Sequence, residues 1–196
     1  MLRSLRLIIA VVASALFVSF AFVGPARAGA ATDFVKKTQG DLFTALKAGD
    51  DKKVDSLFDQ FIDYGAFAEG SLGSEWAARS DAEKAQFQDL LKQIIRNAYR
   101  CNLKKTLNFT IDYASESGGP SGSTVVKTKA AKGGDTIEIN FRVAPKGSAW
   151  KVQDIETEGV SLVDNNRSQF IRIIKKDGFS KLIDKMKDKA SKPACE

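Results

Sequence analysis

The residue types that usually carry catalysis are thin in this chain. Its 196 residues include no histidine, which removes Ser-His-Asp and Cys-His machinery, the commonest general base and the commonest metal ligand. Its two cysteines, Cys101 and Cys195, are far apart. In an oxidising compartment they could pair, and closing so long a loop would add about 4–5 kcal/mol in the chain-entropy model. The other reading is a buried free Cys101 on an apolar helix face and a loose Cys195 in the tail. Metal ligation is left to carboxylates, and no Asp-x-Asp-x-Asp-Gly loop occurs. No glycine-rich segment has the strand, glycine and Lys-Ser/Thr order of a phosphate loop. The acid pairs Asp154 with Glu156 and Glu156 with Glu158 have a spacing that, on a strand, puts both acids on one solvated face. The expectation is a protein without catalytic residues, metal or cofactor.

The N-terminus speaks about compartment. Arg3 and Arg6 precede an apolar run from Leu7 to Val23, broken only by Ser14 and Ser19, and Pro25 and Ala26-Arg27-Ala28 follow. A basic start, an apolar middle and a small-x-small exit make a secretory signal peptide over residues 1–28. A cut after Ala30 is the alternative site. An uncleaved anchor is the alternative fate, since ~17 residues could just span a bilayer. No cysteine follows the cleavage region, so this is not a lipoprotein signal. The whole chain carries 30 basic and 24 acidic residues. Three of the basic ones fall in the signal, so the mature charge is about +3, and no basic stripe for nucleic acid appears. Near the C-terminus Lys175, Lys176, Lys181, Lys185, Lys187 and Lys189 form a locally basic face, either solvated or turned to an anionic membrane or acidic partner.

The remaining chain must supply the scaffold. Helical spacing runs from Thr32 to about Ala48 and again from near Lys52 through Ile62, with a short piece around Tyr64 and Phe67. Gly70 to Trp76 reads as a turn-rich connection. Ser80-Asp81-Ala82-Glu83 is a capping box and opens the longest helix, to about Leu103. Its wide apolar stripe (Phe87, Leu90, Leu91, Ile94, Ile95, Ala98, Tyr99, Cys101) meets apolar material over much of its girth.

The period then changes to two. Leu107, Phe109, Ile111 and Tyr113 alternate with polar residues, as do Ile137, Ile139, Phe141 and Val143. A weaker strand spans Ser123 to Ala131, and Lys132-Gly133-Gly134-Asp135 is a hairpin signal. Trp150 and Val152 begin a fourth strand, and the opposite parity of Ile155 predicts a bulge near Gln153-Asp154. Asp164-Asn165-Asn166 is expected to cap a helix holding Phe170, Ile173 and Ile174. After Gly178 a last helix carries Leu182, Ile183 and Met186. The layout is α+β: a curved antiparallel sheet of about four strands packed against N- and C-terminal helices, cone-shaped and NTF2-like. Residues 29–190 form one domain and 191–196 a tail. With ten of the chain's thirteen phenylalanines after residue 28 and several apolar faces to cover, such a layout leaves either a filled core or an apolar pocket between its layers.

Trp150-Lys151-Val152-Gln153-Asp154, Glu158-Gly159-Val160-Ser161-Leu162-Val163 and Asn166-Arg167-Ser168-Gln169-Phe170 closely resemble successive motifs of the MlaC-type periplasmic phospholipid-binding proteins, also called the toluene-tolerance family. Phe61-Ile62-Asp63-Tyr64, the Leu72-Gly73-x-x-Trp76 stretch and the Phe87-centred helix match as well. Gln153 and Asn166 depart from the pattern, which commonly has tyrosine at both. The resemblance implies a soluble periplasmic carrier that holds acyl chains between sheet and helices. It would exchange phospholipid between an outer-membrane lipoprotein complex and an inner-membrane transporter of the ABC class. A hopanoid or isoprenoid ligand, or an enzyme on the same scaffold, is the alternative. On this reading the inward members of the periodic faces line the site: Leu57, Phe61, Phe67, Leu91, Ile94, Ile95, Ala98, Phe141, Val143, Trp150, Val152, Val160 and Leu162. Arg167 would sit near the head group or a partner; its other reading is a salt bridge with Asp164 or Glu158.

Overall fold

The structure is a computed structural model and describes residues 29–192; the expected signal peptide, residues 1–28, and Cys195 lie outside the described residues. Six helices and five strands follow in the order α1 (Ala30–Lys47), α2 (Asp51–Phe61), α3 (Tyr64–Leu72), α4 (Asp81–Thr106), β1 (Thr110–Gly118), β2 (Thr124–Lys132), β3 (Asp135–Lys146), β4 (Ala149–Thr157), β5 (Val160–Ser161), α5 (Leu162–Asp177) and α6 (Phe179–Ser191). The fold is α+β. All strands are antiparallel neighbours in the order β1-β2-β3-β4-β5.

The helices start where side chains can receive their first amides. Asp50 accepts the Lys53 N–H at 2.9 Å, and Asp63 accepts the Ala66 N–H at 3.2 Å. At α4 Ser80 Oγ and the Glu83 carboxylate satisfy each other's backbone N–H groups, a complete capping box. The α2–α3 junction is anchored on the sheet: the Asp63 N–H donates to the Val152 carbonyl at 2.8 Å, and Ile62 bridges Val152.

In the sheet, Phe141 pairs with Val126 and Ile139 with Thr128, so one face carries Val126, Ile139, Phe141 and Val143 toward the helices. The expected bulge is present. Arg142 pairs with Asp154 and Val143 with Val152, leaving Gln153 as the extra residue. That insertion lets both Val152 and Ile155 be buried.

Four expectations need correction. The sheet has five strands, because Glu158 and Gly159 form a tight turn with φ of 50° and 76° that returns the chain as β5. Strand β1 begins at Thr110, since α4 runs on to Thr106 and Leu107 is its C-cap; the apolar alternation continued past the true boundary. The stretch Gly70–Leu72 is the last turn of α3, and Gly73–Glu75 is a single 3₁₀ turn. Ser161 caps α5, accepting the Asp164 N–H at 3.1 Å, so Asp164, Asn165 and Asn166 already belong to its first turns.

Candidate functional site

An open-mouthed cavity of about 410 Å³ lies among α4, α5, α6 and the end of β4. From α4 it receives Leu91, Ile94, Ile95, Ala98 and Tyr99, from α5 Phe170 and Ile173, and from α6 Leu182 and Met186. Ile155 and Leu162 contribute where β4 and α5 meet it. These residues share one space because each helix carries an apolar stripe at three- and four-residue spacing. The mouth is polar and partly basic: Asn102, Asn165, Gln169, Lys185 and Lys189 border it and are exposed. Val160, 57% exposed, stands at the same mouth. Ala98, too, is exposed, so a larger side chain there would extend into open space.

A second, smaller cavity of about 70 Å³ lies among α1, α2, α4 and the sheet, bordered by Leu42, Phe43, Phe58, Phe61, Leu103 and Phe141. A third, of about 380 Å³, has a mixed lining and lies on the side of β3 away from Phe141, with the polar residues Asn140, Arg142, Asp154, Glu156, Asp164 and Arg167 around it.

Of the thirteen residues expected at an acyl-chain site, Leu91, Ile94, Ile95, Ala98, Val160 and Leu162 meet in the main cavity. Phe61 and Phe141 border the small one. Leu57, Phe67, Val143 and Val152 are buried in close-packed core, and Trp150 packs half-buried against it; these five touch neither cavity. Sequence reasoning missed Tyr99, Phe170, Ile173, Leu182 and Met186 as wall residues. Their apolar stripes were visible, but no local rule says which way the C-terminal helices turn.

Asp154 is a structural hub. One carboxylate oxygen accepts the N–H groups of Ile155 at 2.8 Å and Val163 at 3.1 Å; the other accepts the Ser161 hydroxyl at 2.6 Å. Arg142 lies 3.6 Å from it. Bulge, β5 and the start of α5 are thereby held by one side chain. Glu156 accepts a hydrogen bond from Asn140 at 2.9 Å. Arg167 pairs with Asp164 at 2.9 Å and donates from Nε to the Gly70 carbonyl at 2.6 Å, tying α5 to α3. It stands outside both apolar cavities.

The MlaC family model matches residues 35–188, which takes in the hub, the small apolar cavity and all of the main one but Lys189. The chain belongs to the MlaC family. It is 28% identical over 127 residues to the intermembrane phospholipid transport system binding protein MlaC of Haemophilus influenzae, over 62% of this chain. It spans 59% of the length of that relative. The fold is similar to that of a solved phospholipid-binding protein from Ralstonia solanacearum, in complex with a phospholipid. The TM-score is 0.70 at 23% identity, covering 81% of this chain and 96% of the other. The MlaC-type motifs now have physical reasons: Glu158-Gly159 makes the turn, Ser161 caps α5, and Asp154 binds both neighbours together.

Proposed function

We propose that this MlaC-family protein is a soluble periplasmic carrier that holds the acyl chains of a phospholipid in the main cavity, head group outward, and is not an enzyme. The observation that carries the reading is that cavity: an apolar interior of about 410 Å³ whose mouth is ringed by amides and two lysines. Covering a methylene contributes about 0.8 kcal/mol, so a sixteen-carbon chain represents about 12 kcal/mol of transfer from water. That cost keeps a free lipid in its membrane, and a carrier lowers it by keeping the chain covered. The task needs no nucleophile, metal or cofactor. A head group left in water needs no dedicated clamp, and Lys185 and Lys189 offer an anionic one a favourable rim.

The names of the relatives support phospholipid as cargo. The signal-like segment 1–28 supports export and cleavage near Ala28. Among the described residues no helix is long and apolar enough to cross a membrane. As partners we infer an inner-membrane ABC-class lipid transporter and an outer-membrane lipoprotein complex.

Native mass spectrometry of freshly purified protein tests the cargo. The expected mass is that of the chain from Gly29 with bound phospholipid. Protein that arrives empty and takes up no phospholipid from vesicles overturns the carrier reading; a bound hopanoid would replace the cargo.

A further inference from the structure

Charge is unevenly spread along this chain. Residues 162–192, helices α5 and α6 with Lys192, carry nine basic and four acidic residues, whereas residues 29–161 carry eighteen and nineteen. The basic excess therefore lies in the last two helices, which also wall the main cavity. Helical spacing brings much of it to the mouth. On α5 Asn165 and Gln169 border the opening, and the same stripe runs on through Arg172 and Lys176 at three- and four-residue steps. On α6 Lys185 and Lys189 border it, and Lys181 precedes them on their stripe. All five basic side chains are exposed, and among the described residues none of them makes an ion pair or a side-chain hydrogen bond.

The acids of this segment do not cancel that row. Asp184 and Asp188 fall on the neighbouring stripe of α6, on the side away from Leu182 and Met186 of the cavity wall. Asp188 is paired with Lys192 at 2.8 Å and Asp164 with Arg167 at 2.9 Å; Asp177 ends α5. Val160 is the exposed large apolar side chain of the described residues, and it stands at the same mouth. The nearby Glu158 carboxylate is engaged by the Glu138 N–H.

We propose that the mouth-side face of α5 and α6 is a docking surface for an anionic lipid bilayer, which it meets with the cavity opening turned toward the head groups and Val160 at the contact. Composition separates a bilayer from an acidic protein. Protein interfaces are enriched in arginine and depleted in lysine, whereas four of these five side chains are lysines, mobile point charges that suit a fluid layer of phosphates. Each basic side chain near an anionic leaflet contributes about fivefold in partitioning. The near-neutral remainder of the chain adds no competing pull, so the charge asymmetry also orients the approach. Docking is separate from cargo binding and can fail without it.

Flotation of full-length mature protein with vesicles tests the proposal. The probes are vesicles of phosphatidylcholine alone and of phosphatidylcholine with one third phosphatidylglycerol. Wild type is expected to float with the anionic vesicles only, and to be released when salt rises from about 0.1 M to about 1 M. The triple variant Arg172→Gln, Lys176→Gln, Lys181→Gln alters exposed side chains outside the cavity lining. It should keep its lipid cargo and bind the anionic vesicles on the order of a hundredfold more weakly. Lys47→Gln, Lys52→Gln, Lys53→Gln removes the same charge from exposed positions at the α1–α2 turn and should stay within about threefold of wild type, a residual long-range effect. Equal weakening in both triple variants overturns the proposal, because net charge and not this face would then set binding. Wild type with no preference for anionic vesicles also overturns it and leaves the face to an acidic protein surface. Orientation has its own readout. The emission of Val160→Trp, by difference from wild type, should shift to the blue on anionic vesicles, and bound protein without that shift overturns the mouth-down geometry.

Discussion

A buried carboxylate with four partners makes a sharp test of how this fold is held. Replacing Asp154 by alanine leaves two backbone amides and the Ser161 hydroxyl without their acceptor and takes the carboxylate away from Arg142. The expected loss is about 2–4 kcal/mol in urea denaturation, with the folded fraction still carrying lipid. Asp154→Asn keeps one acceptor oxygen and should cost less. Ala98 tests the opposite property, open space. A tryptophan in a close-packed core costs about 1–3 kcal/mol, but Ala98 is exposed on the wall of the main cavity. Ala98→Trp is therefore expected to melt at or above the wild-type temperature and to copurify without lipid. A folded Ala98→Trp protein with full lipid would show that no acyl chain runs past this position.

Between elements, contact quality varies and the consequences can be measured. Helix α5 sits on α3 at a glycine: a Cβ on Gly70 would come within 2.8 Å of Val163 Cγ1. Gly70→Ala should cost about 1–3 kcal/mol by thermal melt. A Cβ on Gly40 in α1 would meet nothing within 4 Å, so Gly40→Ala should stabilise by about 0.5–1 kcal/mol through helix propensity alone. Between α2 and α4 runs a ladder of ion pairs, Lys92 and Arg96 with Asp59 and Arg100 with Asp55, and it depends on pH. Burial would raise the Asp59 carboxyl, but hydrogen bonds and charge from Arg96 and Lys92 outweigh it and hold the carboxyl below its ordinary value. A carboxylate lowered in the folded state contributes fully above its unfolded pKa of about 3.9 and loses that contribution as pH falls through the lower folded value. The stability gap between wild type and Asp59→Asn should thus be constant above about pH 5 and shrink below about pH 4. A gap that widens on acidification would contradict the ladder.

At the scale of the whole molecule the C-terminal end of the domain returns to α4. Asn97 Nδ2 donates to the Ala190 carbonyl at 3.1 Å and the Lys192 carbonyl at 3.4 Å, laying the end of α6 along that helix. Cys101 is buried one turn further on, and among the described residues no cysteine is free. Cys195 lies three residues past Lys192, and three extended residues reach about 10 Å. We propose a Cys101–Cys195 disulfide that pins α6 and with it one wall of the main cavity. Non-reducing peptide mapping should recover the linked pair. Reduction should lower the melting temperature, by up to about 4–5 kcal/mol of stability in the chain-entropy model. Two free thiols in mature protein from the oxidising compartment would refute the link.

Much of the scaffold is legible because it follows local rules. Ser80 and Glu83 form a capping box three residues apart whatever surrounds them. Lys132-Gly133-Gly134-Asp135 turns the chain between β2 and β3, and the parity break from Val152 to Ile155 identifies the bulge. The 150–170 motifs identify the family because turn, cap and hub each demand particular residue types. Where local signals compete, sequence alone misplaces a boundary: Asp164, Asn165 and Asn166 are all good caps, yet Ser161 caps α5 because β5 ends there. What tertiary structure alone decides is which apolar residues face protein and which face space. Leu57 and Ile94 contribute identically to a helical stripe, yet Leu57 is packed core and Ile94 lines the cavity. That difference depends on how far apart the helices stand, which is fixed by contacts such as Arg167 on Gly70 and Asn97 on the end of α6, between residues more than ninety positions apart.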